Sequence, residues 1–188
     1  HDNNTGLYLM YSGGTVSPEL NEKPKAVLKN SILYNNAGYD VGAIYNEGDV
    51  VLENVTITNN TSLDWTNGTH CGATNCSGAI LQKNNALSTA NDDPEEFEPS
   101  ISVLNSIIYG NIPPNVTAVD NSSCFACISN PGIFSFNYSN IHEVTEPGIG
   151  DNVQINQNPI FNNPSNSDYS LRPESPCIDA GDPDLDND

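Results

Sequence analysis

Four aspartates, Asp182, Asp184, Asp186 and Asp188, alternate with other residues at the end of the chain. Alternate acids open many calcium-binding loops, because successive carboxylate oxygens converge on one hard cation. The glycine such a loop needs next would lie beyond Asp188, so a solvated acidic tail is the plainer alternative. A second acidic run, Asp92, Asp93, Glu95, Glu96 and Glu98, reads as an exposed loop. The five cysteines fall into two close pairs, Cys71 with Cys76 and Cys124 with Cys127, plus Cys177. Close pairs predict two local disulfides formed in an oxidising compartment. The rival arrangement gathers Cys71, Cys76, Cys124 and Cys127, with His70, around zinc. Cys124-Phe-Ala-Cys127 also has the spacing of a redox pair, but no helix pattern lies near it to depress a thiol pKa. His70 and His142 stand alone in loops and read as incidental.

Nine Asn-x-Ser/Thr sequons occur, at Asn3, Asn54, Asn59, Asn60, Asn67, Asn75, Asn115, Asn121 and Asn137. They are glycosylation candidates, although an Asn-rich turn architecture generates such triplets by itself. Only five Lys and Arg residues face 24 acids in 188 residues, a net charge of −19. A surface this negative repels phosphate backbones, which argues against a nucleic-acid partner, and attracts divalent cations. No apolar run is long enough to span a bilayer. The chain opens on His1 without a charged-then-apolar leader, as a mature chain or a fragment would.

These groups need a scaffold, and the scaffold is a repeat. VLKNSILYNN from Val27 and VLENVTITNN from Val51 share residues at Val27/Val51, Leu28/Leu52, Asn30/Asn54, Asn35/Asn59 and Asn36/Asn60. A third copy, SVLNSIIYGN from Ser102, keeps Asn105, Ser106, Ile107, Tyr109 and Asn111 in register with the first. GLYL at Gly6, GAIY at Gly42 and GAIL at Gly78 recur at intervals of 36. Asn30 to Gly42 and Gly42 to Asn54 are 12 residues each, so the minimal unit is 24 residues. Repeats of that size with loops of variable length indicate a solenoid.

The apolar runs are short, β-branched and punctuated by Asn and Gly, as strands are, and no segment holds a helical period. Three short strands per 24-residue unit describe an all-β, right-handed parallel β-helix. Residues 1–157 form its coils, with insertions at about 61–77 and 84–99; residues 158–188 form a capping segment and acidic tail in the same domain. Asn30, Asn54 and Asn105 then sit at one corner of successive coils, and Asn36, Asn60 and Asn111 at another. Asn tolerates the left-handed backbone a sharp corner needs, and stacked amides can bond from coil to coil. In the closing segment, Pro159, Pro164, Pro173, Pro176 and Pro183 cannot extend a ladder. Its separate apolar residues, Ile160, Phe161, Tyr169, Leu171 and Ile178, are expected to plug the open end of the stack.

NSIIYGN (Asn105–Asn111), YSNI (Tyr138–Ile141), NPIF from Asn158, DYSL from Asp168 and SPCIDAGDP from Ser175 carry a resemblance. They resemble the last coils and closing motif of secreted right-handed parallel β-helix repeat proteins of the pectate-lyase-like superfamily, in particular bacterial and archaeal surface proteins with Asn-rich coils. The resemblance implies an extracellular or cell-surface location and says little of activity. Such relatives continue past the DAGDP region, so the chain reads as truncated at DLDND.

The superfamily's enzymes set a test. A polysaccharide lyase needs a base to take the proton α to a carboxylate, often with calcium to acidify it. Lys23, Lys25 and Lys29 cluster near the start and Arg172 lies in the closing segment, none beside an evident calcium-binding acid group. The Gly-His-Gly and Arg-x-Lys tripeptides of the polygalacturonase type do not occur. The expected function is therefore a non-catalytic extracellular module of a surface, adhesive or filament-forming protein, partnered by itself or by extracellular glycans and stabilised by calcium. The alternative is a carbohydrate-active protein, a lyase or a glycan-binding module, in which Tyr11, Tyr34, Tyr45 and Tyr109 line a sugar groove by stacking.

Overall fold

The computed structural model describes residues 7–9, 24–39, 41–46, 48–63, 77–82, 99–112, 133–142 and 150–184. The fold is all-β, and its main sheet is parallel and curls like a half-barrel. That sheet holds β2 (Lys25–Tyr34), β5 (Asp49–Thr58), β8 (Ser100–Leu104), β9 (Ile107–Tyr109), β10 (Ile133–Asn137), β11 (Asn140–Ile141) and β12 (Gln154–Ile155). A three-stranded sheet joins β1 (Leu7–Leu9), β4 (Ile44–Asn46) and β7 (Ile80–Gln82), and a pair joins β3 (Ala37–Gly38) to β6 (Thr61–Ser62); both are parallel. The chain visits the three sheets in turn, β2–β3–β4 and then β5–β6–β7, before returning to the main sheet at β8.

Pairing follows the sequence repeat. Lys25 lies opposite Asp49 and Ala37 opposite Thr61, each 24 residues on, while Ile44 lies opposite Ile80, 36 on. Asp49 in turn faces Ser100. Leu7 pairs with Ile44, one residue further than the glycine spacing predicts. The inward residues Ala43, Ile44, Val50, Leu52, Val55, Ile57, Ala79, Ile80, Ile101, Val103, Ile108, Phe136 and Ile141 make one buried cluster shared by the main and three-stranded sheets. Burial of each aliphatic side chain stabilises the stack by roughly 1.5–3 kcal/mol. Coils approach closely at Gly42, where a Cβ would collide with the Gly78 carbonyl oxygen of the neighbouring rung.

The corners explain how a strand period of two survives a bend. In β5 the buried apolar positions are Val50 and Leu52, then Val55 and Ile57, so the parity flips at Asn54. In the next rung Ile101 and Val103 give way to Ser106 and Ile108 across Asn105. Asn30, Asn54 and Asn105 all have φ near +50°, and Tyr138 and Asn152 continue that column with φ of 47° and 51°. One left-handed residue turns the chain and re-aims the next side chain inward. The second corner repeats the device with Asn35, Asn59 and Gly110 at φ of 55°, 53° and 69°.

The residue after each left-handed position closes the backbone groups the bend leaves open. After the first corner serine does this in two rungs, while Val55 and Val153 hold the same place in others: Ser106 Oγ accepts from Val55 N (3.0 Å) and donates to Leu104 O, and Ser139 Oγ accepts from Ser106 N (3.1 Å). After the second corner it is Asn36, Asn60 and Asn111. Asn36 Nδ2 donates to Asn60 Oδ1 and Asn60 Nδ2 to Asn111 Oδ1, both at 2.9 Å. Asn60 Nδ2 also reaches Leu33 O and Thr58 O, and Asn111 Nδ2 reaches Ile57 O. A third buried pair, Asn46 Nδ2 to Gln82 Oε1 (2.9 Å), does the same at the end of the three-stranded sheet.

Candidate functional site

Residues beyond β12 fold back across the outer face of the main sheet. β13 (Phe161–Asn163) and β14 (Asp168–Leu171) form an antiparallel hairpin joined by a 3-10 turn at Pro164–Asn166. The buried Tyr169 meets the Tyr34 ring at 5.1 Å and accepts a hydrogen bond from Asn59 Nδ2 (3.1 Å). Further along, Asn140 Nδ2 donates to Cys177 Sγ (2.9 Å), Gln154 Nε2 to Pro176 O, and Asp182 N to Asn105 Oδ1 (2.8 Å). These partners belong to five successive rungs. The segment is thus a strap along the flank of the stack, a correction to the expected plug over its end. Tyr169 reaches two rungs, Ile178 is exposed, and DYSL forms a strand where an irregular cap was expected.

A cleft of about 460 Å³ opens between the strap and the second corner. Thr58, Asn59 and Gly110 form its floor; Tyr109 stands on one side, and Phe161 and Arg172 on the other. Both aromatics are fixed from behind. Tyr109 stacks on His142 with ring centroids 4.7 Å apart, and Phe161 meets Tyr169 edge-on at 5.3 Å. The Arg172 guanidinium donates through Nη2 to Asn162 O (3.1 Å), with Glu174 4.0 Å from Nη1. A smaller cavity of about 130 Å³ lies under the strap, where Cys177 meets Asn140 and Gln154.

The residues singled out by sequence fall unevenly around this geometry. Asp182 and Asp184 form a tight turn in which Asp182 Oδ1 accepts the Asp184 N–H (3.0 Å); Asp186 and Asp188 lie outside the described residues. Among the described residues no three His, Cys, Asp or Glu side chains gather as a metal group. Cys71, Cys76, Cys124, Cys127 and His70 also lie outside, so the disulfide and zinc readings meet no described atoms; Cys177 is a free thiol. Of the sequons, Asn54 and Asn59 are exposed and Asn137 is half-buried, while Asn3, Asn67, Asn75, Asn115 and Asn121 lie outside. Asn60 is fully buried, its amide bonded within the stack, which leaves no room for a glycan on the folded chain.

Tyr34 and Tyr109 share one outward column through Thr58, with Tyr45 elsewhere in the three-stranded sheet and Tyr11 outside. Lys25 and Lys29 are exposed on β2, Lys29 paired with Glu53, and Lys23 lies outside. Sequence reading missed the Ser106–Ser139 and Asn46–Gln82 columns. The recurring Asn-Ser or Tyr-Ser pair and the 36-residue step from Asn46 to Gln82 are the signals that mark them. Comparison with family models, curated protein sequences and solved structures finds no match to this chain.

Proposed function

We propose that this chain belongs to an extracellular, right-handed parallel β-helix that does no chemistry itself and serves as a spacer, adhesive or filament-forming element of a surface protein. The observation that carries the proposal is the circuit of strands. Two consecutive turns visit the same three sheets in the same order, and the long strands of consecutive turns pair 24 residues apart. A solenoid of this kind is a rod that lengthens by about 4.8 Å per turn, the spacing of paired strands. The closing motif and its resemblance to secreted surface proteins support the location. Among the described residues no helix is long and apolar enough to cross a membrane. Calcium at Asp182 and Asp184, completed by Asp186 and Asp188, belongs to the proposal as a stabilising ion.

Electron microscopy of concentrated protein tests the mechanical reading: end-to-end rods or filaments are expected, and dispersed monomers at high concentration count against it. Incubation with acidic polysaccharides and calcium tests the catalytic rival. No unsaturated product should absorb in the ultraviolet. Product formation that disappears in Lys25→Ala or Lys29→Ala would replace the proposal with a lyase.

A further inference from the structure

We infer that the cleft between the strap and the second corner is a binding site for a neutral glycan, held through one or two sugar units. The inference gives chemical content to the adhesive reading above, on which its biological sense rests.

The cleft lies where the residue of an otherwise regular column changes. Its floor position is Asn35 in one rung and Asn59 in the next, both left-handed, but Gly110 in the third. Packing does not demand this glycine. A Cβ there would meet only Asn59 Oδ1 at 3.6 Å and Thr58 Oγ1 at 3.8 Å, which are ordinary contacts. The backbone at φ of 69° favours glycine but lies close to the 55° and 53° that Asn35 and Asn59 hold in the same column. What glycine adds is open space above Asn59, and the resulting 460 Å³ lies within the range of about 300–1,000 Å³ that small-ligand sites occupy.

The walls select the ligand class. Tyr109 and Phe161 offer rings braced by His142 and Tyr169, suited to the apolar faces of a pyranose. Asn59, Asn158, Thr58 and Arg172 supply amide, hydroxyl and guanidinium groups that pair with sugar hydroxyls. A phosphate or polyanionic ligand fits poorly. The one guanidinium is already engaged by Asn162 O and flanked by Glu174, and the whole chain carries a charge of −19. Asn59, Asn158 and Arg172 each spend part of their hydrogen-bonding capacity on Tyr169, Ile160 N and Asn162 O, and a purely apolar ligand would cover the remainder without pairing it.

Calorimetric titration with tetrasaccharides of glucose, mannose, galactose and N-acetylglucosamine, with trigalacturonate as the acidic arm, tests the inference. At least one neutral tetrasaccharide should bind with a Kd of about 0.1–1 mM. Gly110→Asn should weaken that binding about tenfold or more with an unchanged thermal midpoint, because asparagine suits this column. Arg172→Ala, a change at an exposed side chain, should weaken it about threefold and serves as the second probe should Gly110→Asn fail to fold. Absence of binding to all four at about 5 mM overturns the inference. So does tighter binding of trigalacturonate, or full affinity in both variants. Rods seen by microscopy without sugar binding would sink this inference alone; sugar binding by dispersed monomers would sink only the filament reading.

Discussion

Two columns of asparagine run through the stack at the same steps, 24 residues and then 51, and they do opposite jobs. Asn30, Asn54 and Asn105 hold a left-handed backbone at the first corner, with Asn30 and Asn54 exposed. Asn54 Nδ2 reaches Asn30 Oδ1 at 3.2 Å in full view of solvent, and Asn105 Oδ1 is taken by the strap at Asp182 N. Asn36, Asn60 and Asn111 follow the second corner, point inward and bond both to one another and to carbonyls of the bend. The outer column is chosen for its backbone and the inner one for its side chain. A hydrogen bond exposed to water contributes little net stability, whereas a buried donor or acceptor left unpaired costs about 1–3 kcal/mol.

The sharpest way to break that contrast is at Asn60. Its side chain accepts two hydrogen bonds from Asn36 and donates to Leu33 O, Thr58 O and Asn111 Oδ1. Asn60→Ala leaves several of these groups buried and unpaired, and should cost about 3–5 kcal/mol in urea denaturation. Asn60→Gly should be no better, because Asn60 does not have a positive φ. A loss below about 1 kcal/mol would mean that the inner column is ornament to the hydrophobic stack.

At Asn54 the order of the two substitutions should reverse. Its φ of 56° costs an alanine about 1–2 kcal/mol, while glycine adopts it freely and loses only about 0.5 kcal/mol to chain entropy. Asn54→Ala should therefore be the worse variant and Asn54→Gly the milder, measured in the same denaturant series. Equal losses would show that the amide contact to Asn30, rather than the backbone, is what the position supplies.

That reversal also marks where sequence reading stopped. The repeat length was legible because Asn30, Asn54 and Asn105 recur beside β-branched runs, and spacing predicts the pairs of β2 with β5 and of β4 with β7, though not that of Leu7 with Ile44. The direction of each side chain was not, because alternation counted straight through Asn54 puts Val55 outside and Thr56 inside. Only the positive φ at the corner corrects the count. The cleft was hidden for a related reason. Tyr109 is visible as a repeat position, but Phe161 and Arg172 reach it through a strap whose path depends on contacts distant in the chain, such as Asn59 with Tyr169, 110 residues apart. Prolines in that segment correctly argued against more parallel rungs, yet they carry no information about which surface of the stack the segment covers.

The smallest effect tests the exposed side of the comparison through charge. Asp168, at the surface of the hairpin, accepts the Ser170 hydroxyl at 2.6 Å, the Ser170 N–H at 3.1 Å and Asn162 Nδ2 at 3.0 Å. These bonds, the Ser170 hydroxyl foremost, favour the carboxylate and hold its pKa below the ordinary aspartate value. A depressed folded-state pKa means stability that is fully present above the unfolded value of about 3.9 and fades as the pH falls through the folded one. The gap in thermal midpoint between the native chain and Asp168→Asn should accordingly stay constant from neutral pH down to about pH 5 and narrow below about pH 4. Ser170→Ala should move the Asp168 carboxyl resonance to titrate at higher pH, since the largest cause of its depression is gone. A gap that persists unchanged into strong acid would mean that the Asp168 bonds act through shape alone, and that even the exposed polar contacts of the strap behave as the buried amides do.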